Sequence, residues 1–202
     1  MNEKFYSLPA EKRQRIINAG FHVFSQNSYK KSPVSEIADA AGISKSLLFY
    51  YFKDKRELYF FLWDEAVRIS RGSLDPLYGA DVKNFFELMR MGMNEKLRLM
   101  REYPDLTGFT VKAFYEKDSE ISREIHSRCD SLVDESNLRV ISRLNPEDFI
   151  PSLDLEMMYR EMYWASDGYL RSMLEAGVMD ADKIEKGFTR LMEFWKNVYL
   201  KK

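Results

Sequence analysis

Wherever apolar residues recur regularly in this chain, they recur at helical spacing. Ile16, Ala19, Gly20, Val23 and Phe24 stand at i, i+3, i+4, i+7 and i+8, a single stripe on a 3.6-residue helix. No stretch of useful length alternates apolar with polar residues as a half-buried strand does. The predicted class is all-α.

Turn and cap residues divide the pattern into about nine helices. Pro9 opens the first helix and Asn27-Ser28 closes it. Ser32 is read as N-cap and Pro33 as N1 of a short second helix, with Val34, Ile37, Ala38 and Ala41 on its buried side. Gly42 breaks it, Ser44 caps a third helix, and Asp54 to Glu57 has capping-box spacing that starts a fourth near Lys55. "SLDPLYGAD" interrupts the chain. A helix carrying Val82, Phe85, Phe86, Met89 and Met93 follows, then a break at Tyr103-Pro104 and a short helix around Phe109 to Tyr115. A long helix from near Asp118 carries Ile121, Ile125, Leu132, Val133 and Val140. After the loop "NPEDFIPSLD", two helices of roughly 153–176 and 180–200 are split by Gly177.

Composition narrows the function classes. The net charge of −1 hides an asymmetry: through Arg56 there are ten Lys or Arg against five acids, while the remainder holds 21 against 27. A basic first quarter on an acidic body points to a polyanion met by the N-terminal portion alone. No stretch approaches the roughly 20 apolar residues of a membrane span, so no membrane partner is expected. "MNEKFYSLPAEKRQR" lacks a signal-peptide apolar core, and the lone Cys129 suits a reducing compartment, so a cytoplasmic location is expected. Two histidines, His22 and His126, offer no metal-ligand spacing, and no glycine loop cradles phosphate. The pairs Glu116/Asp118 and Glu120/Glu124 read as solvated helix faces. No catalytic site, metal or cofactor is expected.

The run Phe49-Tyr50-Tyr51-Phe52 asks which rings face a core. Residues 33–52 have the dimensions of a helix-turn-helix. In its second helix Leu47, Leu48, Tyr51 and Phe52 share one face, which packs inward. Lys45, Ser46, Phe49 and Tyr50 lie opposite, with Ser44 at the N-terminal tip. Outward rings among hydroxyls and an amine suit a helix in the major groove, where rings touch thymine methyls and polar groups reach phosphates or base edges.

The stretch "GISKSLLFYYFKDKREL" resembles the signature of the tetracycline-repressor (TetR) family, Gly-Val-Ser-x-Gly-x-Leu-Tyr-x-His/Tyr-Phe-x-x-Lys-x-x-Leu. The matches are Gly42, Ile43, Ser44, Leu48, Tyr51, Phe52, Lys55 and Leu58. "SPVSEIADAAG" and "KRQRIINAGFHVFSQNSY" resemble the family's preceding helices, so the motif spans about residues 9 to 60. Ser46 and Phe49 depart from it, standing where the family has Gly and Tyr. The resemblance implies a helix-turn-helix DNA-binding domain at 1–54 and a ligand-binding and dimerising domain at 55–202. It implies contacts to double-stranded operator DNA from Ser32, Ser35, Ser44, Lys45, Ser46, Phe49, Tyr50, Tyr51 and Lys55. It also implies a second copy of the chain bound through the last two helices, which present Met158, Met162, Ala165 and Tyr169, then Phe188, Leu191, Trp195 and Val198. The function expected is that of a bacterial homodimeric regulator, a repressor released from a palindromic operator by a small, largely apolar effector.

For that effector the candidates are Phe61, Trp63, Met89, Met93, Phe109, Phe114 and Tyr115, with Arg90, Tyr103 and His126 as polar fixing points. The same apolar residues have core packing as their competing role. A helical interaction module without DNA binding, and an activator of the same family, are the alternative readings. The first needs no outward Phe49-Tyr50 pair.

Overall fold

The computed structural model describes residues 3–79, 82 and 84–202, the side chains of 131–137 excepted, so Leu132 and Val133 of the predicted stripe lie outside the described residues. Among those residues the structure is all-α. Its helices are α1 (Glu3–Tyr6), α2 (Ala10–Gln26), α3 (Val34–Ala41), α4 (Lys45–Tyr51), α5 (Lys55–Leu74), α6 (Phe85–Glu102), α7 (Pro104–Phe114), α8 (Ser119–Ile141), α9 (Leu155–Glu175) and α10 (Ala181–Tyr199). Short 3-10 turns cover Asp75–Gly79 and Pro146–Asp148, and the only extended pairing among the described residues is an isolated bridge between Phe149 and Leu200. Nine helices match the sequence pattern. The tenth, α1, is too short to show a period.

The chain divides into two compact units, Met1–Ile69 with Glu102–Arg128 and Ser70–Arg101 with Cys129–Lys202. In the first, α2 packs on α3 and α7, and α5 is buried on consecutive residues from Leu58 to Trp63. A helix buried all round is surrounded by its neighbours. Its rings interlock: Tyr59 meets Phe24 edge-on at 4.8 Å between centroids and Phe109 at 5.2 Å. Each such ring removed from water stabilises the fold by about 1.5–3 kcal/mol. Gly20 lets α2 approach α5, since a Cβ there would stand 2.4 Å from Leu62 Cδ1.

The second unit closes on Phe85, Phe86, Val140, Phe149, Met158, Met162, Met192 and Trp195, with a smaller cluster of Leu97, Met100 and Ile184. Met158, Met162 and Trp195, expected on a surface that meets another chain, are therefore intramolecular core, 2%, 1% and 1% exposed. Ala165 and Leu191 pack against the same cluster, and Phe188 against the smaller one. The apolar side chains that α9 and α10 do expose are Met157, Trp164, Phe194 and Val198. Both helices are apolar on two sides, and spacing alone does not say which side the chain keeps for itself.

Two boundaries differ from the sequence reading. Pro33, not Ser32, holds the cap position of α3, with extended backbone and no side-chain bond. The turn before it closes on itself, Lys31 N donating to Ser28 O at 3.0 Å, which draws Ser32 inward. The helix expected near Phe109 begins earlier, with Pro104 in its first turn, where a missing N–H costs nothing. The capping box forms at α5, with one shift. Glu57 N donates to Asp54 Oδ1 at 2.8 Å, while Glu57 Oε2 accepts from Lys53 N, one residue earlier than the usual return bond, at 2.6 Å.

Candidate nucleic-acid interface

The turn between α3 and α4 depends on Gly42. Its backbone is left-handed, φ 66°, a conformation glycine adopts without the clash that a Cβ brings. Its N–H reaches the carbonyls of Ala38 and Asp39. Ser44 then caps α4, its hydroxyl accepting from Leu47 N at 3.1 Å and lying 3.0 Å from Ser46 Oγ. Leu48, at 0% exposed, and Tyr51 lock the inner face of α4, and Phe52 follows them into the interior.

The outer face is left with Phe49 and Tyr50, 38% and 47% exposed, beside exposed Lys45, Ser46 and Ser44. Lys45 Nζ lies 5.8 Å from the Phe49 ring centroid, a cation over an aromatic face. Tyr50 is met by Lys4 from α1, whose amine donates to its hydroxyl and lies 4.7 Å from its ring centroid. Ser35, in the first turn of α3, is exposed.

Three further residues depart from simple surface exposure. Ser32 is 1% exposed and its hydroxyl donates to Ser28 O at 3.0 Å, so the expected side-chain contact from Ser32 is corrected: that hydroxyl serves the turn. Tyr51 is 5% exposed, its ring edge-on to Phe5 at 5.8 Å. Lys55 is half-buried. Its amine lies 4.8 Å from the Tyr29 centroid and 5.9 Å from that of Phe24, and donates to Lys30 O at 3.5 Å. Burial lowers its pKa, and the Glu116 carboxylate opposes that shift.

The turn that carries Lys30 is held from outside the helix-turn-helix. Glu116, just after α7, accepts the Tyr29 N–H at 2.7 Å and also those of Lys117 and Asp118. Asp118 pairs with Lys30 at 3.1 Å. Its carboxyl is held below the usual range, chiefly by the Ile121 N–H it caps and then by Lys30. These acids read in the sequence as solvated faces. Only folding brings them to residues 29 and 30.

The effector candidates are divided between the two units. Phe61, Trp63, Tyr103, Phe109, Phe114, Tyr115 and His126 belong to the first unit, and Met89, Arg90 and Met93 to the second. Phe61 packs 5.1 Å from Phe5 and from Phe52, and Phe109 is 0% exposed among Phe21, Phe24 and Tyr59. Those two pack in the interior of the first unit. Met89 and Met93 flank the apolar clusters of the second unit, and Tyr103 is half-buried at the cap of α7. Arg90 is exposed at an open cleft of about 640 Å³ whose walls, Glu87, Asp148 and Lys196 among them, are largely charged. Phe114, Tyr115 and His126 do meet: Phe114 is edge-on to Tyr115 at 5.1 Å and to His126 at 4.9 Å, and His126 Nε2 lies 3.0 Å from Phe114 O. Trp63 is 6% exposed, and its indole N–H has no acceptor among the described residues. Among the described residues no cluster of His, Cys, Asp or Glu is placed to hold a metal, and no helix is long and apolar enough to cross a membrane.

Residues 16–60 match the pattern of the bacterial regulatory proteins of the tetR family. The HTH-type transcriptional regulator RutR of Shigella flexneri is 25% identical over 162 residues, covering 77% of this chain and 71% of RutR. A TetR family transcriptional regulator from Chloroflexus aurantiacus shares the fold with a TM-score of 0.68 at 19% identity, over 100% of this chain and 99% of that one. The fatty acid degradation regulator FadR from Bacillus halodurans shares it with a TM-score of 0.71 at 15% identity, over 91% and 97%. The solvent-facing outer side of α4, the matched signature and the common fold agree: residues 16–60 are similar to the bacterial regulatory proteins of the tetR family, and the chain shares the fold of solved TetR family transcriptional regulators.

Proposed function

We propose that the chain is a homodimeric repressor that binds a palindromic operator through α3 and α4 and leaves it when a small effector binds. The observation that carries this reading is the outer face of α4, where Phe49 and Tyr50 stay exposed beside Lys45 and Ser46 while Leu48 and Tyr51 on the opposite face are buried and Leu47 is half-buried. Lys45, Ser46, Phe49 and Tyr50 enter the major groove, and Ser35, Ser44 and Lys55 contact the sugar-phosphate backbone. On this reading residues 1–54 are the DNA-binding domain and 55–202 bind the effector and the partner copy. Two-fold symmetry sets the half-sites roughly 34 Å apart or a wider multiple, and on this reading the regulator works where its operator is, in the bacterial cytoplasm.

The second copy docks on α9 and α10 through Met157, Trp164, Phe194 and Val198, apolar side chains otherwise left in water. The effector is largely apolar and carries one hydrogen-bond acceptor for the Trp63 N–H. Its preference for the DNA-free state is a few kcal/mol, the least that switches a two-state protein.

Selection of bound duplexes from random DNA tests the reading and yields the half-site spacing. Lys45→Ala and Tyr50→Ala are expected to weaken binding to the selected duplex by about tenfold or more while melting like the parent protein, since good base contacts are worth about 1–3 kcal/mol. Unchanged affinity in both variants rejects the assigned groove face. An activator differs only in the sign of the response, which transcription from the selected operator reads directly.

A further inference from the structure

Lys4 and Phe5 lie ahead of the family signature, yet they touch its recognition helix. Residues 3–6 fold into α1, and a helix of four residues has no stability of its own. Its position comes from Phe5, 1% exposed, which inserts between Tyr51 at 5.8 Å, Phe52 at 5.0 Å and Phe61 at 5.1 Å. Arg13 holds the end of the segment by donating to the carbonyls of Tyr6 at 2.6 Å and Leu8 at 2.7 Å. Next to this plug, Lys4 extends along the surface to Tyr50, its amine 4.7 Å from the ring centroid and bonded to the phenol oxygen.

A cation is thus fixed at the rim of the proposed groove face, against one of its readers. An unanchored lysine loses stem entropy when it grips a phosphate. Lys4 has already lost much of it, because Phe5 and the Tyr50 ring hold its base and its tip.

We propose that α1 is a DNA-contacting element, in which Lys4 takes a backbone phosphate beside the base pairs met by Tyr50 and Phe5 is the positioning residue that holds Lys4 there. The proposal rests on the reading of α4 as the groove helix. When DNA binds, the phosphate replaces the phenol oxygen as acceptor of the amine. Each such contact releases a condensed counterion, so Lys4 contributes to the salt dependence of binding and not only to affinity.

The test titrates the full chain against a labelled duplex recovered by selection, at several salt concentrations. Lys4→Ala is expected to bind about tenfold more weakly near physiological salt and to lower the slope of log K against log salt by about 0.9 per half-site, while Lys4→Arg keeps both. Phe5→Leu, which keeps an apolar plug, is expected to bind like the parent. Phe5→Ala is expected to lower affinity and slope together with Lys4 still present. Lys4→Ala with unchanged affinity, or with reduced affinity at an unchanged slope, overturns the phosphate contact, provided Lys45→Ala weakens binding in the same assay. If Lys45→Ala and Tyr50→Ala also bind like the parent, the reading of α4 has failed instead.

Discussion

Trp63 carries an indole N–H into the interior of the first unit without an acceptor, the one buried side-chain polar atom so placed among the described residues. A buried donor left unpaired costs about 1–3 kcal/mol. Trp63→Phe is therefore expected to change stability by less than about 1 kcal/mol in denaturant melts, since removing the orphan donor offsets the packing that the smaller ring loses. The same variant is expected to lose effector response in an operator-release assay. A release response equal to the parent's removes the acceptor from the effector model. Phe109 makes the opposite case. At 0% exposed among three rings, Phe109→Ala is expected to cost about 3–5 kcal/mol in thermal unfolding. In the sequence both residues were plain aromatics at helical spacing. Spacing shows that a side chain faces inward, but not whether its polar atom finds a partner or its ring meets a cavity or three other rings. Ser32 shows the same limit. It has the chemistry of a cap, but the turn before it draws its hydroxyl to Ser28.

Between elements, close approach is decided at single positions. A Cβ on Gly20 would meet Leu62 Cδ1 at 2.4 Å, so Gly20→Ala must displace a buried leucine. The expected loss is about 1–3 kcal/mol, read as a lower midpoint in urea, although alanine is the better helix former. Glu116 ties the turn after α7 to the turn before α3 by accepting the Tyr29 N–H. Glu116→Ala removes a charged acceptor from three backbone donors and is expected to destabilise the chain by about 1.5–3 kcal/mol. A larger rise in hydrogen exchange at Tyr29, in the turn before α3, than within α2 and α3 checks this locally. Exchange unchanged at Tyr29 would show that the tie is not holding the turn. The capping box at α5 and the glycine turn between α3 and α4 were legible in the sequence, because each is made by residues within four positions of one another. The Glu116 tie was not, because its partners stand 87 positions apart.

At the scale of the whole molecule, α9 and α10 each carry two apolar sides, one packed within the chain and one exposed. Met158, Met162 and Trp195 fill the chain's own interior, and Met157, Trp164, Phe194 and Val198 remain outside. Trp164→Asp is expected to shift the protein from dimer to monomer in sedimentation at micromolar concentration, because a charge replaces an apolar anchor at the proposed interface. Intact dimers in Trp164→Asp and in Phe194→Asp place the interface elsewhere. Operator affinity is expected to fall steeply between low and physiological salt, and a flat titration would remove the phosphate contacts. The sequence by itself determined the all-α class, the order of nine of the ten helices and the inward and outward faces of α4, since helical periodicity, caps and a left-handed glycine are local properties of a chain. Tertiary structure alone decided the placing of α1, the burial of Ser32, the tie from Glu116 and the choice of exposed face on α9 and α10. Each of those depends on which distant side chains compete for the same buried space, and no local spacing records that competition.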